Sequence, residues 1–326
     1  MSFGRDLLSR TLAVALTLAA PSLWAQSFPV KPIRFVVPFA AGGPADTMTR
    51  TLAMPFGEKS GQTVIVENRP GGGGNVAAAH VAGLPADGYT LLLAGQGVLA
   101  INKALYAKLP YDPERDFAWI GMVGSLPNVL VVHPEAVPAQ NVAQFIELAR
   151  SQPGRISYGS NGIGSLSHLS AEVMAAAANV QFLHVPYQGA APQRADLLGG
   201  RIGFSFIAAS MTVPLVREGK VRALAVSTGA RLPALADVPT LVESGFPMLD
   251  APTWFAAVAH SATAEPILTA LRSAFAAAIA TTGYAAEMEK QSTIVVKMGP
   301  DEAATMLARE RRIWTDAVRR TGASAN

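Results

Sequence analysis

Short apolar runs alternate along the chain with longer segments in which apolar residues recur at helical spacing. Runs rich in β-branched and aromatic residues predict strands, and they lie at residues 32–39, 63–67, 89–94, 129–133, 156–160, 182–185, 202–207, 222–226 and 254–259. The longer segments predict helices at residues 44–57, 75–83, 142–150, 166–178, 192–198, 264–281 and 300–319. Strands and helices that alternate in this way predict a layered α/β fold with parallel strands.

The first residues follow a different pattern. Residues 1–10 carry Arg5 and Arg10, residues 11–24 are almost continuously apolar, and the small residue Ala25 follows. This order is typical of a secretory signal peptide. A transmembrane anchor is the alternative, but it needs about 20 apolar residues and this run has only 14. We therefore expect residues 1–25 to be a signal peptide cleaved near Ala25, and the mature protein to be periplasmic.

Composition narrows the classes of function. Half of the 326 residues are hydrophobic, 15% are charged, the formal net charge is +3 and there is no cysteine. A disordered chain would be less hydrophobic and more charged. The lack of cysteine excludes a disulfide scaffold and a Cys-ligated metal site, and the small excess of positive charge argues against a nucleic-acid partner.

Motifs of catalysis are missing from the sequence. It contains neither an H-E-x-x-H pair nor a G-x-S-x-G turn, which would indicate a zinc enzyme and a serine hydrolase. Gly219 and Lys220 are followed by Val221 rather than by Ser or Thr, so they do not form a P-loop. We expect no catalytic residue, no cofactor and no metal.

Three turns share one design: each follows a strand, contains glycine or other small residues, and opens a helix. They lie at residues 39–46, 160–168 and 187–192. The first turn of a helix carries unpaired N–H groups and about half a positive charge, so it binds a carboxylate without any cationic side chain. The same kind of turn also occurs in α/β proteins without a ligand, and that alternative stays open.

The side chains in these turns suggest more detailed roles. Gly43 fits the position before the first helix and Pro44 its first residue, and Asp46 is expected to order the turn rather than to touch an anion. Hydroxyl groups of Ser160, Ser165 and Tyr187 could donate to a ligand. His168 is expected to contact or cap its helix rather than to bind a metal.

Several segments together resemble a Bug-type (TctC-like) extracytoplasmic solute-binding receptor of the tripartite tricarboxylate transporter family. They are residues 32–50 (PIRFVVPFAAGGPADTMTR), 66–74 (VENRPGGGG), 86–93 (ADGYTLLL), 105–117 (LYAKLPYDPERDF), 156–169 (ISYGSNGIGSLSHL), 185–202 (VPYQGAAPQRADLLGGRI) and 221–240 (VRALAVSTGARLPALADVPT). The resemblance covers most of the chain. It departs at Gly203, where the family usually has an acidic residue near a pocket-facing strand, and at residues 259–266.

The resemblance implies a two-lobed, type II-like periplasmic-binding-protein fold. Each lobe would be a sheet flanked by helices, with the ligand cleft between the lobes. We place the points where the chain passes from one lobe to the other at residues 127–129 and 252–254. This predicts residues 26–127 plus 254–326 as lobe 1 and residues 128–253 as lobe 2. The matching pocket positions, combined with the three helix starts, give the candidate ligand contacts Phe39, Ala41, Gly42, Gly43, Asp46, Gln96, Ser160, Gly164, Ser165, His168, Tyr187, Gly189 and Ala190.

The functional expectation is a monomeric periplasmic receptor for a small organic acid. It would capture a dicarboxylate, a tricarboxylate or a related acid and deliver it to membrane permease subunits of the TctA/TctB type, as the resemblance implies. Two alternatives remain at this point: a periplasmic α/β enzyme acting on a carboxylate compound, and a sensor that presents its ligand to a membrane kinase. The sequence leaves the identity of the acid open.

Overall fold

The computed structural model describes residues 28–322 and 324–325. The predicted signal peptide and its cleavage site near Ala25 lie outside the described residues. Within residues 28–322, none of the helices combines the length and the apolar character needed to cross a bilayer.

The strands and helices alternate as the sequence predicts. The strands are β1 (Ile33–Val37), β2 (Val64–Asn68), β3 (Thr90–Gly95), β4 (Phe117–Leu126), β5 (Asn128–Val132), β6 (Ser157–Ser160), β7 (Leu183–Pro186), β8 (Phe204–Ala208), β9 (Arg222–Val226) and β10 (Thr253–His260). The helices are α1 (Pro44–Ser60), α2 (Asn75–Ala82), α3 (Asn102–Leu105), α4 (Val142–Ser151), α5 (Leu166–Ala178), α6 (Ala190–Leu198), α7 (Ala209–Arg217), α8 (Glu265–Ile279), α9 (Thr282–Lys290) and α10 (Pro300–Thr321).

Sequence reasoning missed strand β4 and helices α3, α7 and α9. Strand β4 contains Gly121 and Gly124, and glycine weakens a strand prediction. In the structure both glycines make room for neighbours. A β-carbon on Gly121 would lie 2.3 Å from the ring of Phe275, and one on Gly124 would lie 2.6 Å from Thr293. The glycines therefore allow helix α8 and residue 293 to pack directly on the strand.

The strands form two five-stranded sheets, with orders β2-β1-β3-β10-β4 and β7-β6-β8-β5-β9. We call the first sheet and its helices lobe 1, and the second sheet and its helices lobe 2. The expectation of parallel strands is correct for β2-β1-β3 and for β7-β6-β8. It is wrong for β10 and β5, which run antiparallel to both of their neighbours. Parallel neighbours need a crossover helix within one sheet, whereas β5 and β10 enter their sheets from the other lobe.

Both faces of each sheet are covered. Phe35 in β1 packs with Phe56 and Phe275 on one face, while its neighbour Val36 packs with Ala77 on the other. In lobe 2, Leu130 and Val131 divide between the two faces in the same way. Double coverage explains why these strands read as continuous apolar runs rather than as alternating ones.

Three segments join the lobes. Only Pro127 separates β4 in lobe 1 from β5 in lobe 2, and β10 returns the chain to the lobe 1 sheet. Helix α10 packs on both lobes, because Ala303 belongs to the lobe 1 core and Trp314 to the core of lobe 2. The exact lobe boundaries, 26–127 plus 254–326 and 128–253, stay a prediction.

Candidate functional site

Two adjoining cavities lie between the lobes. Both are lined by Phe39, Asn128, Asn161, Thr253 and Phe255. The first is completed by Gly43, Pro44, Ala45, Leu126, Ala190 and Ala208. The second is completed by Pro38, Gly73, Gly95, Gln96, Gly97, Val98, Ser165, Leu166 and Ser167. Among the described residues, neither set of lining residues includes a Lys, Arg, His, Asp or Glu.

The start of helix α1 forms one wall of the first cavity. Gly43 precedes the helix in an extended conformation and Pro44 is its first residue, as predicted. Gly42 has a φ of +82°, a left-handed conformation that favours glycine. Gly43, Pro44 and Ala45, at the start of α1, line the cavity.

Asp46 holds this turn in place from behind. Its carboxylate accepts hydrogen bonds from Gly42 N (3.0 Å), Asn68 Nδ2 (3.0 Å) and Arg50 Nε (3.0 Å). Burial on its own would raise the pKa of Asp46, but these donors outweigh it and lower the pKa below its ordinary value. The charge of Asp46 is thus committed to the loop, in agreement with the ordering role that the sequence suggests.

Residues 160–168 enter the second cavity at the start of helix α5. Ser165 caps the helix by accepting from His168 N (3.4 Å), and its hydroxyl donates to Gly162 O (2.6 Å). Asn161 N donates to Ser167 Oγ (3.0 Å), and Gly164 N donates to His168 Nδ1 (3.2 Å). These hydrogen bonds stabilise the loop and occupy several of its main-chain N–H groups, while Asn161, Leu166 and Ser167 line the cavity.

A stack of rings supports the same loop from the core of lobe 2. The rings of His168 and His184 lie 4.2 Å apart and nearly parallel, and Tyr158 stacks on His184 at 4.7 Å. Ser160 Oγ lies 2.7 Å from His184 Nε2. Burial lowers the pKa of His168 to about 3, helped by the neighbouring His184, and burial lowers the pKa of His184 to about 4. Both rings are therefore neutral near pH 7.

The third helix start at the cleft is that of α6. It begins at Ala190, two residues before the predicted Pro192, and Gly189 precedes it with a φ of +129°. A β-carbon on Gly43 would lie 3.9 Å from Ala190 Cβ, so the starts of α1 and α6 face each other across the cleft. The hydroxyl of Tyr187 donates to Asp196 Oδ2 (2.8 Å) rather than toward the cavities.

The two lobes touch at two places near the cleft. At one, Ala40 N donates to Gln188 O at 3.3 Å. At the other, Tyr106 Oη donates to Ile163 O at 3.3 Å. The structure is thus that of a closed cleft.

Five of the candidate residues line the cavities: Phe39, Gly43, Gln96, Ser165 and Ala190. The amide of Gln96 is already engaged, since it donates to Pro252 O (2.8 Å) and accepts from Trp254 N (3.1 Å). The other candidates are not among the lining residues of either cavity: Ala41, Gly42, Asp46, Ser160, Gly164, His168, Tyr187 and Gly189. Most of them shape or stabilise the three turns, and direct contact of any candidate with a ligand stays a prediction.

Five residues line both cavities, and the candidate contacts include only Phe39 of these five. The candidates omit Asn128, Asn161, Thr253 and Phe255, although Asn161 lies within the predicted turn of residues 160–168. Asn128 Nδ2 donates to Thr253 Oγ1 at 2.7 Å, which joins the first residues of β5 and β10 at the floor of the cleft. The Phe255 ring meets that of Phe39 edge-on, with centroids 5.8 Å apart. Asn161 Oδ1 is buried without a hydrogen-bond partner. Polar residues directly after Pro127 and Pro252, at the predicted crossings, were the available signal for Asn128 and Thr253.

Residues 48–322 match the family described as the tripartite tricarboxylate transporter family receptor, TctC. The chain belongs to this family. It is 33% identical to the protein BugT of Bordetella pertussis over 307 residues, covering 94% of each chain. The family resemblance found in the sequence is thereby confirmed.

Solved structures of similar proteins show the same two-lobed fold. Rpa4515 of R. palustris, described with adipate, is 32% identical, with a TM-score of 0.86 over 91% of this chain and 99% of that one. MatC of Rhodopseudomonas palustris, described with bound malate, is 30% identical, with a TM-score of 0.85 over 89% and 100%. The fold prediction is confirmed, and the family identifies the protein as a solute-binding receptor and not an enzyme.

Gly203 of the receptor does not lie at the cleft. A β-carbon there would lie 2.9 Å from Val137 and 3.3 Å from Ile156, so Gly203 packs inside lobe 2 and lines neither cavity. This departure from the family pattern therefore does not face the cavities, because Val137 packs against the start of β8.

The low pKa values of the stacked His168 and His184 predict that the folded protein loses stability in acid. Because their pKa values in the folded protein, about 3 and about 4, lie below the value of about 6.5 for an unfolded chain, the unfolded state binds protons first. Their contribution is complete above about pH 6.5 and declines as the pH falls toward 4. The melting temperature should decrease as the pH falls over this range, and it should decrease less steeply in His184→Gln than in the unsubstituted protein. His260→Gln, in lobe 1, is the control, and an unchanged slope in His184→Gln would contradict the prediction.

Proposed function

We propose that the receptor captures a small organic carboxylate, such as a dicarboxylate or a tricarboxylate, between its two lobes. One observation carries the proposal: the starts of α1, α5 and α6, taken from both lobes, meet at a closed cleft whose lining residues bear no charge. Main-chain N–H groups at these starts bind the carboxylate oxygens. Because no Asp or Glu is among the lining residues, a bound anion meets no negative side chain there.

The physical chemistry of the helix starts supports this role. The first N–H groups of a helix have no acceptor within the helix, and the dipole adds about half a positive charge. Each hydrogen bond to a charged group contributes about 1.5–3 kcal/mol. Because Asp46, Ser165 and His168 already fix the turns, little conformational entropy is lost when the ligand binds.

The relatives support the ligand class. Rpa4515 and MatC, at 32% and 30% identity, are described with adipate and malate, which are both dicarboxylates. In this receptor Phe39, Leu126 and Phe255 supply an apolar wall, and Asn128, Asn161 and Thr253 supply a polar one. These walls suit the carbon chain and the second polar end of such an acid.

The transport role extends beyond the cleft. We propose that residues 1–25 direct export to the periplasm, with cleavage near Ala25, and that the closed receptor docks on permease subunits of the TctA/TctB type. The family described as tripartite tricarboxylate transporter receptors supports that partner. Ligand drives docking to the extent that it binds the closed form more tightly than the open one.

Thermal unfolding with a panel of organic acids tests the ligand class. At about 100 times its dissociation constant, a ligand stabilises the folded state by about 2.7 kcal/mol, which for a protein of this size raises the melting temperature by about 5 °C or more. We expect this shift from at least one di- or tricarboxylate and from no neutral sugar or amide analogue. A shift produced only by uncharged compounds would contradict the proposal.

Gly43→Val tests the start of α1 as a contact. Its β-carbon fits, with Ala40 O at 3.8 Å and Ala190 Cβ at 3.9 Å. Gly43 lines the first cavity, and the two γ-methyl groups of valine add bulk there, so we expect the carboxylate shift to be abolished. Gly43→Ala is the matched control, and it should keep a measurable shift. A full shift in a folded Gly43→Val protein would remove this turn from the binding site.

Asn161 gives a test of the charge of the ligand. Asn161→Ala removes the side-chain donor Nδ2 and should weaken binding of an anion by about 10-fold or more, as expected for about 1.5–3 kcal/mol. Asn161→Asp keeps the size of the side chain but adds a negative charge to the wall, so it should weaken binding further. Calorimetric titration with the acid from the panel measures both, and equal affinities for the Asn and Asp forms would contradict a carboxylate at this wall.

A further inference from the structure

The glycine-rich loop of residues 71–74 has a role that the helix starts do not explain. All four glycines have positive φ, and Gly72 and Gly73 have φ of +55° and +62°. The loop forms one helical turn before α2, and Gly74 N donates to Gly71 O at 3.0 Å. It belongs to lobe 1, and Gly73 lies against lobe 2.

The contact at Gly73 is made by main chain on both sides. A β-carbon on Gly73 would lie only 2.0 Å from Ile163 O, a distance that atoms of separate groups do not reach. The hydrogen that Gly73 carries in place of a side chain therefore points at this carbonyl oxygen. From lobe 2, a β-carbon on Gly162 would lie 3.6 Å from Gly73 Cα.

The surrounding residues keep the approach equally close. A β-carbon on Gly97 in lobe 1 would lie 3.3 Å from Gly164 O and 3.4 Å from Gly73 O. One on Gly164 would lie 2.6 Å from Asn102 Oδ1, a fully buried atom without a partner. We call Gly73, Gly97, Gly162 and Gly164 the glycine contact.

We propose that Gly73 determines how far the cleft closes. Because this position has no side chain, the carbonyl oxygen of Ile163 in lobe 2 contacts lobe 1 directly. Any β-carbon at position 73 would hold the two lobes apart. This inference rests on the proposed capture of a ligand between the lobes. Only the closed form brings α1 of lobe 1 and α6 of lobe 2 together, so a smaller closed population lowers the apparent affinity in proportion. Gly73 thus acts on ligand capture through the position of the lobes.

The neighbouring Gly72 provides a matched control. Both residues have left-handed φ, so the same substitution costs similar backbone strain at either position. Asparagine is the suitable replacement because it tolerates this conformation. A β-carbon on Gly72 meets only its own loop and helix, with Asn75 Cβ at 3.4 Å and Val76 at 4.0 Å. The two variants differ in whether the added side chain meets the other lobe.

A disulfide across the cleft at a second contact between the lobes reports closure without any ligand. The chain has no cysteine, and the β-carbons of Gly43→Cys and Ala190→Cys would lie 3.9 Å apart in the closed form, within the range that a disulfide requires. We expect this pair to oxidise within the monomer. Gly73→Asn should slow its formation by about 10-fold or more, since the rate follows the closed population, whereas Gly72→Asn should not.

The outcomes separate this inference from the proposed function. Equal rates in the Gly73→Asn and Gly72→Asn backgrounds, or a disulfide that fails to form even with both glycines present, would overturn it. Circular dichroism and thermal unfolding establish that each variant is folded. If Gly73→Asn does not fold, Gly73→Ala places a smaller side chain between the lobes. The carboxylate panel is read independently, so a receptor that binds no carboxylate can still pass the disulfide test.

Discussion

The close approach of main chain to main chain across the cleft is the constraint on which the rest of the structure depends. Helix starts recognise an anion only when nothing bulky stands before their N–H groups. That requirement explains Gly43 before α1 and Gly189 before α6, whose neighbours Ala40 and Ala190 belong to opposite lobes. It also explains why the cavities are lined by glycine, alanine, amide and aromatic residues rather than by arginine or lysine.

The polar and ionisable side chains of the binding loops are mostly used to hold those loops. Asp46 accepts from Gly42 N, His168 accepts from Gly164 N, and the hydroxyl of Tyr187 donates to Asp196. Each of these groups is a candidate ligand contact in the sequence, and each makes a hydrogen bond within the protein in the structure. These bonds fix the main chain of the turns, which in the proposed function reduces the entropy lost on binding.

The elements that sequence reasoning predicted well depend on local signals. The Gly43-Pro44 start of α1 and the limits of α5 at Leu166–Ala178 follow from capping residues within a few positions. The features it missed depend on distant partners. Asn128 and Thr253 bond across a separation of 125 residues. The stack of Tyr158, His168 and His184 brings together three elements, β6, α5 and β7, with no local signal of that contact in the sequence. Strand β4 was missed because its glycines serve neighbours that the sequence does not reveal.

Recognition by helix starts is general for carboxylates, so it cannot by itself distinguish one acid from another. Every carboxylate offers the same pair of oxygens to an N–H group, and the three starts are fixed by their own internal hydrogen bonds. Discrimination must therefore come from the rest of the wall, where Phe39 and Phe255 present aromatic rings and Asn128 and Asn161 present amides. In the proposed function, the turns therefore account for binding of an organic acid, and the side chains around them account for the choice among acids.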